Sequence, residues 1–334
     1  MAKVTIDTIS KYTGLSRGTV SRALNNRSDI SEATRQRVLE ACRQFKYVPN
    51  PAARALATGR GYAIAVFVAN LCGAAQRGVL QGILDTARDG GYTVQLTSVL
   101  GDAQSVALAL RSAMNERIDA AFALAPLPTE LLDEVGGLLG PRPFAHLTES
   151  TPMGDAWLFD EVESGALAAR HVLSRGVSSG GDLLYVHDDR ADSDGRRRRG
   201  FASTCEREGL RPMIADVNHT PPEGTDGNWN EVREALRHVR AVATSDDMTA
   251  LRVMMLAQQV GRAVGQDLQL VGQGNELFAE SLTPALSSVD FGGEEIGRRG
   301  TEALLQRVRG ERQDGPVETR VAPRLVVRGS SEAR

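Results

Sequence analysis

Cysteine and long apolar segments are scarce in this 334-residue sequence, and both absences narrow the class of protein. The three cysteines, Cys42, Cys72 and Cys205, lie far apart, form no CxxC pair and have no histidine at metal-ligand spacing, so we interpret them as reduced packing residues. The longest apolar runs, such as residues 62–71, have the length of a strand and not the roughly 20 residues of a membrane span. Because the N-terminus also lacks the pattern of a secretory signal, we expect a cytoplasmic protein without membrane contact.

Catalytic motifs are missing as well. The sequence has no serine in a GxSxG elbow, and its five histidines show no metal-ligand spacing. The Gly-x-Gly at residues 272–274 has no third glycine and lies late in the chain, which argues against a dinucleotide site. We therefore expect no enzyme activity, no metal and no cofactor.

Positive charge is concentrated at one end of the chain. Residues 1–60 carry 11 Lys and Arg against 4 Asp and Glu, a balance of +7, whereas the remainder carries −10 and the whole chain −3. Only the N-terminal segment therefore suits a polyanion such as nucleic acid. Basic side chains on a helical surface also serve solubility, so charge alone leaves both alternatives open.

The N-terminal segment has the apolar periodicity of three short helices. Its apolar residues recur at intervals of three to five positions: Ile6, Ile9, Leu15, Val20, Leu24, Val38, Cys42 and Phe45. We predict that the first helix ends before Gly14, that the second follows the cap Ser16, and that the third follows the cap Ser31.

Two helices joined by a short turn around a glycine form a helix-turn-helix, whose second helix enters the major groove of DNA. Arg17 and Arg22 could each bond both acceptors of a guanine, because the guanidinium is a planar fork. Short donors on the same segment suit phosphate oxygens: Ser16, Thr19, Ser21 and Asn25. The alternative is that any three-helix bundle has a polar outer face.

Residues 4–60 resemble the DNA-binding headpiece and hinge of the lactose-repressor (LacI/GalR) family along their whole length, through TVSRALN, TRQRV and YVPNPAARAL in that order. The resemblance implies a headpiece at 1–49, a hinge at 50–60, and a homodimer on near-palindromic operator DNA. The residues that it places on DNA are Thr5, Ser16, Arg17, Gly18, Thr19, Ser21, Arg22, Asn25, Ser31, Thr34, Tyr47, Asn50, Ala52, Ala53 and Leu56.

The hinge has a physical interpretation of its own. Asn50 suits an N-cap and Pro51 the first helical position, but a helix this short is marginal in water and should form only against a partner. In the family, two hinge helices pair in the minor groove and a leucine from each wedges into the central base step. Leu56 occupies that position, and Ala52 and Ala53 are small enough for close approach. We predict a segment that DNA and its twin order together.

The rest of the chain alternates short apolar runs with helical stretches, which predicts parallel sheets with covering helices. In the family, this part is an α/β core with two lobes like those of periplasmic sugar-binding proteins. The predicted fold is therefore a small all-α headpiece plus a two-lobed core at 61–334. We expect the first lobe at about 61–160 and 290–320, and the second at about 161–289 and 321–334. A ligand would bind between them, beyond the carboxyl ends of the strands.

The resemblance also implies contacts to a small-molecule effector. These residues are Arg197, Ser245, Asp246, Asn275, Gln273, Trp229, Thr148 and Phe291. Two have equally simple alternatives: Asp246 as a helix N-cap and Trp229 as a core residue. The run of four arginines that contains Arg197 also suggests a nucleic-acid patch, but a run this short is more often a solvated turn, so we expect one functional arginine among exposed neighbours.

One departure from the family pattern concerns Gly274, which stands where an acidic residue commonly grips sugar hydroxyls. Either Gln273 or Asn275 compensates, or the site takes a bulkier or anionic effector beside Arg197. Glu149, Cys72 and Gln76 are weaker candidates.

The sequence thus predicts a homodimeric transcription regulator, a repressor, whose effector is a sugar or sugar derivative and shifts the hinges through the lobes. The alternative is a periplasmic-type solute-binding protein without DNA function, which would need an export signal and no basic headpiece. The C-terminus has no leucine heptads, so no tetramerising coiled coil is predicted.

Overall fold

The computed structural model describes residues 4–24, 29–47, 60–68, 74–99, 103–115, 117–124, 132–147, 149–189, 191, 195–218 and 227–332. By their internal contacts the residues fall into two compact units, Met1–Tyr62 with Glu116–Asp119, and Ala63–Asn115 with Ala120–Arg334. We call them the headpiece unit and the core. No helix within the described ranges combines the length and the apolar composition that crossing a bilayer requires.

Three short helices form the described part of the headpiece unit, which confirms the prediction from periodicity: α1 (Ile6–Thr13), α2 (Arg17–Leu24) and α3 (Glu32–Gln44). Gly14 ends α1 in the left-handed conformation, at φ 66°, which costs a glycine no side-chain clash. The amide of Thr34 donates to Ser31 Oγ at 3.3 Å and caps α3 as predicted.

An apolar core holds these helices together, because helices of 8 to 13 residues are marginal in water by themselves. Its buried side chains come from all three helices: Ile9, Val20, Ala23, Val38, Ala41 and Cys42. Burial raises the pKa of the Cys42 thiol, and it raises the pKa of the fully buried Cys205 to about 11. Both cysteines are therefore packing residues, as predicted, whereas Cys72 lies outside the described residues.

The first lobe of the core contains a six-stranded sheet of β1 (Ala63–Val68), β2 (Thr93–Ser98), β3 (Ala120–Leu124), β4 (Phe144–Leu147), β5 (Asp155–Phe159) and β11 (Glu318–Val321). Its helices are α4 (Ala74–Asp89), α5 (Ala103–Asn115), α6 (Leu132–Leu139) and α11 (Gly293–Arg309). The strand order is β11-β5-β4-β3-β1-β2, and every neighbouring pair is parallel.

The second lobe contains a six-stranded sheet of β6 (Leu183–Asp188), β7 (Met213–Val217), β8 (Ala241–Thr244), β9 (Gln269–Gln273), β10 (Ser287–Asp290) and β12 (Arg324–Val326). Its α-helices are α7 (Glu161–Ser174), α8 (Arg196–Arg207), α9 (Trp229–Ala235) and α10 (Asp247–Gln259), and two 3-10 turns lie at Gly180–Asp182 and Leu277–Ser281. The strand order is β12-β10-β9-β8-β6-β7. All pairs are parallel except β10 with β12.

The chain passes between the two sheets at three places: from β5 into α7, from β10 into α11, and from β11 to β12. Parallel strands of one sheet all end at the same edge, so the segments that follow them lie close together and are where such folds bind ligands. These two sheets, parallel except for the pair of β10 and β12, confirm the predicted α/β core with two lobes.

Two helices of the second lobe touch backbone to backbone. A Cβ on Gly165 of α7 would lie 1.9 Å from the carbonyl oxygen of Arg197 in α8, and a Cβ on Gly200 of α8 would lie 1.9 Å from the carbonyl oxygen of Val162 in α7. The helices can approach this closely because Gly165 and Gly200 have no side chain. The pairing sets the position of α8, which carries Arg197.

Candidate functional site

The second helix of the headpiece presents its first turn to solvent. Ser16 Oγ accepts from the amide of Thr19 at 3.1 Å, so the predicted cap of α2 is present. Of the residues predicted to contact DNA, several are exposed: Thr5, Ser16, Arg17, Gly18, Arg22 and Ser31. Four others are half-buried: Thr19, Ser21, Thr34 and Tyr47. The exposed members of this set are therefore accessible to a partner.

Both arginines of α2 contact an aspartate of the headpiece. Arg17 Nε lies 2.7 Å from Asp7 Oδ1, and Arg22 Nη1 lies 3.4 Å from Asp29 Oδ2. The side chains of all four residues are about half exposed or more, between 48% and 68%. Pairs this exposed contribute little to stability, so their importance lies in where they hold the arginines.

Part of the predicted interface lies outside the described residues. This applies to Asn25 and to the hinge residues Asn50, Ala52, Ala53 and Leu56. The wedge and the pairing of hinge helices therefore stay predictions.

Arg197 is the centre of the candidate effector site. Its Nη1 donates to the carbonyl oxygen of Ser245 at 2.6 Å, its Nη2 donates to Glu161 Oε1 at 3.0 Å, and its Cζ lies 4.7 Å from the centroid of the Phe291 ring. Phe291 in turn lies 5.8 Å from Phe159. Three predicted residues, Arg197, Ser245 and Phe291, are thus brought together, and we call the five residues the interlobe cluster.

The cluster is assembled where the strands end. Phe159 ends β5, and Glu161 begins α7 at the first crossover between the lobes. Ser245 follows β8 and Phe291 follows β10, which is the second crossover. A movement of one lobe against the other must therefore change the geometry around Arg197.

The charge of Arg197 has a partner inside the cluster. The residue is only 9% exposed and pairs with Glu161, whose carboxylate also lies 3.5 Å from Arg196 Nη1. A buried cation without such a partner would be strongly destabilising. The pair offers a ligand both donors and acceptors, which hydroxyl groups can use.

Ser245 and Asp246 form the turn that starts α10. Ser245 Oγ accepts from the amide of Asp188 at 3.0 Å. Asp246 Oδ1 accepts from the amide of Thr249 at 2.7 Å, so Asp246 is the helix N-cap that the sequence left open as an alternative.

The next residue, Asp247, is fully buried beneath this turn. Its Oδ1 accepts from Ser288 Oγ at 2.6 Å and its Oδ2 accepts from the amide of Glu276 at 2.7 Å. Burial raises the pKa of Asp247 to about 6, although both hydrogen bonds oppose the shift. Asp247 therefore fixes the segment after β9 to the start of α10.

Gln273, one of the two side chains that we expected to compensate for Gly274, is buried and bonded within the second lobe. Its side chain is 0% exposed, and its Nε2 donates to the carbonyl oxygen of Thr244 at 3.0 Å. Its Oε1 accepts from Ser164 Oγ of α7. The amide is therefore satisfied inside the lobe, because its side chain lies on the α7 side of a fully buried strand.

Asn275 is also engaged by the protein. Its Oδ1 accepts from Arg328 Nη2 at 2.7 Å, and its Nδ2 donates to Asp290 Oδ2 at 3.3 Å. Both Gly274 and Asn275 have positive φ, 118° and 50°. The glycine is therefore required by the backbone turn, since a φ of 118° is rarely open to other residues.

Trp229 lies in the hydrophobic core of the second lobe, which was the alternative for this residue. Its ring is 2% exposed, Nε1 donates to the carbonyl oxygen of Asn218 at 3.1 Å, and Arg252 Cζ lies 4.5 Å from the ring centroid. We do not include it among the proposed ligand contacts. Thr148 lies outside the described residues.

Three features were missed by the sequence analysis: Glu161 as the partner of Arg197, Asp247, and an ion pair between Arg77 and Glu276. Arg77 lies in the first turns of α4 in the first lobe, and Glu276 follows β9 in the second, so this pair joins the lobes. Its members are 199 positions apart in sequence, and no local pattern links them.

Within the described ranges, no group of three or more His, Cys, Asp or Glu side chains is arranged to hold a metal ion.

Comparison with known proteins matches both parts of the chain. Residues 5–50 match the model of bacterial regulatory proteins, lacI family, and residues 169–331 match a periplasmic binding protein-like domain. The transcriptional regulator CelR of Thermobifida fusca is 26% identical over 98% of this chain and 98% of its own. The transcriptional repressor PurR of Edwardsiella ictaluri is 24% identical over 98% of this chain and 96% of its own.

Solved structures share the fold of the whole chain. A lac repressor dimer bound to operator and the anti-inducer ONPF has a TM-score of 0.74 at 21% identity, covering 99% of each chain. A complex of the regulator CelR with cellobiose has a TM-score of 0.63 at 21% identity, covering 98% of this chain and all of the other.

Proposed function

We propose, from the premise that the chain belongs to the LacI family of bacterial regulatory proteins, that it is a repressor which binds a near-palindromic operator as a homodimer and responds to a sugar or sugar derivative. One observation carries the proposal: the same chain contains an exposed recognition helix in the headpiece unit and the interlobe cluster around Arg197 in the core. A solute-binding protein without DNA function is the alternative, and it leaves the first part unexplained.

A homodimer is supported by apolar side chains on the second lobe. Met248 and Met255 are seven positions apart on α10 and therefore on one face, and they are 51% and 58% exposed. Leu277 is 82% exposed, and it follows Glu276, whose amide donates to Asp247, the residue before Met248. Exposed apolar patches of this kind mark interfaces, and the occupant that we propose is a second copy of the chain.

A polyhydroxylated, uncharged effector is supported by the donors and acceptors that Arg197 and Glu161 offer together. The cellobiose named for the CelR structure is of this class. Such a ligand would contact the crossovers at β5 and β10, and the cross-lobe pair of Arg77 and Glu276 would respond to any change in lobe closure. The lobes would then transmit ligand binding to the hinges as a coupling free energy.

The operator proposal is tested by selecting bound DNA from a random library with the full-length protein. We expect an inverted repeat, because one recognition helix reads half a site and a dimer places two of them about one helical turn apart.

We expect Leu56→Ala to weaken binding to the selected site by at least about tenfold while nonspecific affinity changes little, since a wedge acts only on a deformable central step. Equal losses on both DNAs would contradict the wedge, and a library without enrichment would favour the solute-binding alternative.

The effector proposal is tested by thermal denaturation with sugars, sugar phosphates and polyols. A ligand at about 100 times its Kd stabilises the folded state by about 2.7 kcal/mol, which should raise the Tm by several degrees. We expect a neutral sugar or polyol to raise the Tm of wild type and of the control Arg199→Ala but not of Arg197→Ala. If only phosphorylated compounds act, the anionic alternative is correct.

A further inference from the structure

The acidic residues of the headpiece are few, and two of them contact the arginines that we expect to read bases. Residues 1–60 contain four acidic side chains, Asp7, Asp29, Glu32 and Glu40. The two aspartates pair with Arg17 and Arg22, the only arginines of α2. Carboxylates beside a DNA-reading helix repel the phosphates and weaken general affinity. We therefore ask whether these aspartates improve sequence discrimination while they lower general affinity for DNA.

The two contacts differ in the nitrogen that they use. Asp7 meets Arg17 at Nε, the inner nitrogen, with 2.7 Å between the atoms, as an ion pair without the geometry of a hydrogen bond. Asp29 meets Arg22 at Nη1, on the outer edge, with 3.4 Å between the atoms. Guanine is bonded by two N–H groups of the guanidinium fork, and the outer edge supplies such a pair. The contact with Asp7 is compatible with that use of Arg17, whereas the contact with Asp29 competes with it at Arg22.

Asp7 is also held on a rigid element. It lies in the first turn of α1, two residues before Ile9, which is fully buried in the headpiece core. Arg17 is the first residue of α2 and is 68% exposed along its side chain, so without a contact its guanidinium would sample many rotamers. Ordering a long side chain on binding lowers its conformational entropy. A carboxylate at a fixed position restricts the side chain already in the free protein, so less entropy is lost when DNA binds.

We infer that Asp7 is a positioning residue for base recognition: it holds the guanidinium of Arg17 by Nε and directs the outer edge to a guanine, whereas Asp29 restrains Arg22 only in the absence of DNA. The inference rests on the proposed function, because it needs a headpiece that reads sequence. Asp7 should then increase discrimination at one base pair and lower general affinity for DNA. Asp29 should lower general affinity without any gain in discrimination.

The test compares Asp7→Ala and Asp29→Ala with wild type in the full-length protein, on the selected operator, on its single-base variants and on random DNA. Arg17→Ala and Arg22→Ala first assign the base pair that each arginine reads. A bidentate contact discriminates by between about 5-fold and about 150-fold. An exposed ion pair changes an equilibrium by at most about fivefold. We expect Asp7→Ala to lower the preference at the base pair of Arg17 by about two- to fivefold and to keep it at all others, while binding to random DNA is equal or tighter. Asp29→Ala should keep the preference at the base pair of Arg22.

Retained preferences at the other base pairs show that each variant is folded. The inference is overturned if Asp7→Ala keeps the full preference at the base pair of Arg17, or if Asp29→Ala loses its own preference to the same extent. Asp7→Asn gives a second measurement, and it should fall between wild type and Asp7→Ala because the amide oxygen keeps the position without the charge. If wild type selects no sequence, the proposed function itself fails, which is distinct from a selected operator that the aspartates do not affect.

Discussion

Gly165→Ala should destabilise the second lobe by about 3 kcal/mol, at the upper end of what overpacking costs. The added Cβ would lie 1.9 Å from the carbonyl oxygen of Arg197, 2.8 Å from its carbonyl carbon and 2.9 Å from the amide nitrogen of Phe201. All three atoms belong to the backbone of α8, so no side chain can rotate away and the two helices must separate. The same separation would carry Arg197 away from Glu161.

The measurement is urea unfolding followed by tryptophan fluorescence. The chain has two tryptophans, Trp157 in the first lobe and Trp229 in the second, so a Trp157→Phe background reports on the second lobe alone. In this background Gly165→Ala should lower the urea midpoint, and the sugar that stabilises wild type should no longer do so. The Cβ of the substituted residue is the only new atom, which keeps the physical cause simple.

Gly137→Ala is the control for adding a Cβ to a helical glycine, and because Gly137 lies in the first lobe it is measured in a Trp229→Phe background, through Trp157. Gly137 lies within α6, is exposed, and a Cβ there would meet nothing within 4 Å. Alanine is favoured over glycine inside a helix by about 0.8 to 1 kcal/mol, so this variant should be as stable as wild type or more stable. If both variants have the midpoint of wild type, the close approach of α7 and α8 is not a constraint, and the account of how Arg197 is positioned is wrong.

The features that the sequence predicted correctly depend on neighbouring residues. The caps Ser16 and Ser31 act on amides three positions away, and the β-strands are short apolar runs that local periodicity reveals. The two lobes follow from the alternation of strands and helices and from the resemblance. In each case the determining contact lies within a few residues of the pattern.

The orientation of polar residues at the ends of strands was not predictable in the same way. Gln273 ends a strand that is buried on both faces, so its neighbours show no alternation that could reveal the side toward which it points. Its partner Ser164 is 109 positions away. Asn275 is directed by a turn with two positive φ angles, and its partners, Asp290 and Arg328, come from two later segments.

Asp155→Ala should cost the first lobe about 3 to 5 kcal/mol, which is the usual effect of removing one partner from a buried ion pair. The carboxylate is 1% exposed and accepts from Arg307 Nε and Nη2, each at 2.7 Å, and from the amide of Val317 at 3.0 Å. The arginine side chain is only 15% exposed, so the variant leaves its charge with less compensation. Arg307 keeps Asp314, 3.4 Å away, and the carbonyl oxygens of Asp314 and Gly315, so we expect a cost at the lower end of this range.

This pair has a defined place in the architecture. Asp155 begins β5, and Arg307 lies at the end of α11, which has returned from the second lobe. The bidentate contact therefore ties the returning segment to the first sheet, and the Val317 amide extends the tie to the approach of β11. Loss of this contact should release α11 and β11 together. In a Trp229→Phe background, the fluorescence of Trp157, two residues after Asp155 on β5, would report the unfolding of this lobe.

Glu295→Gln is the control on the same helix. Glu295 pairs with Arg298 at 2.7 Å, but the two side chains are 36% and 44% exposed, so water and salt screen the interaction. We expect its urea midpoint to stay close to that of wild type. Asp155→Asn should fall between the two, because it keeps the shape of the side chain and one acceptor but not the charge. If Asp155→Ala and Glu295→Gln have equal midpoints, the buried pair does not anchor the returning helix, and packing against α4 alone holds α11 in the first lobe.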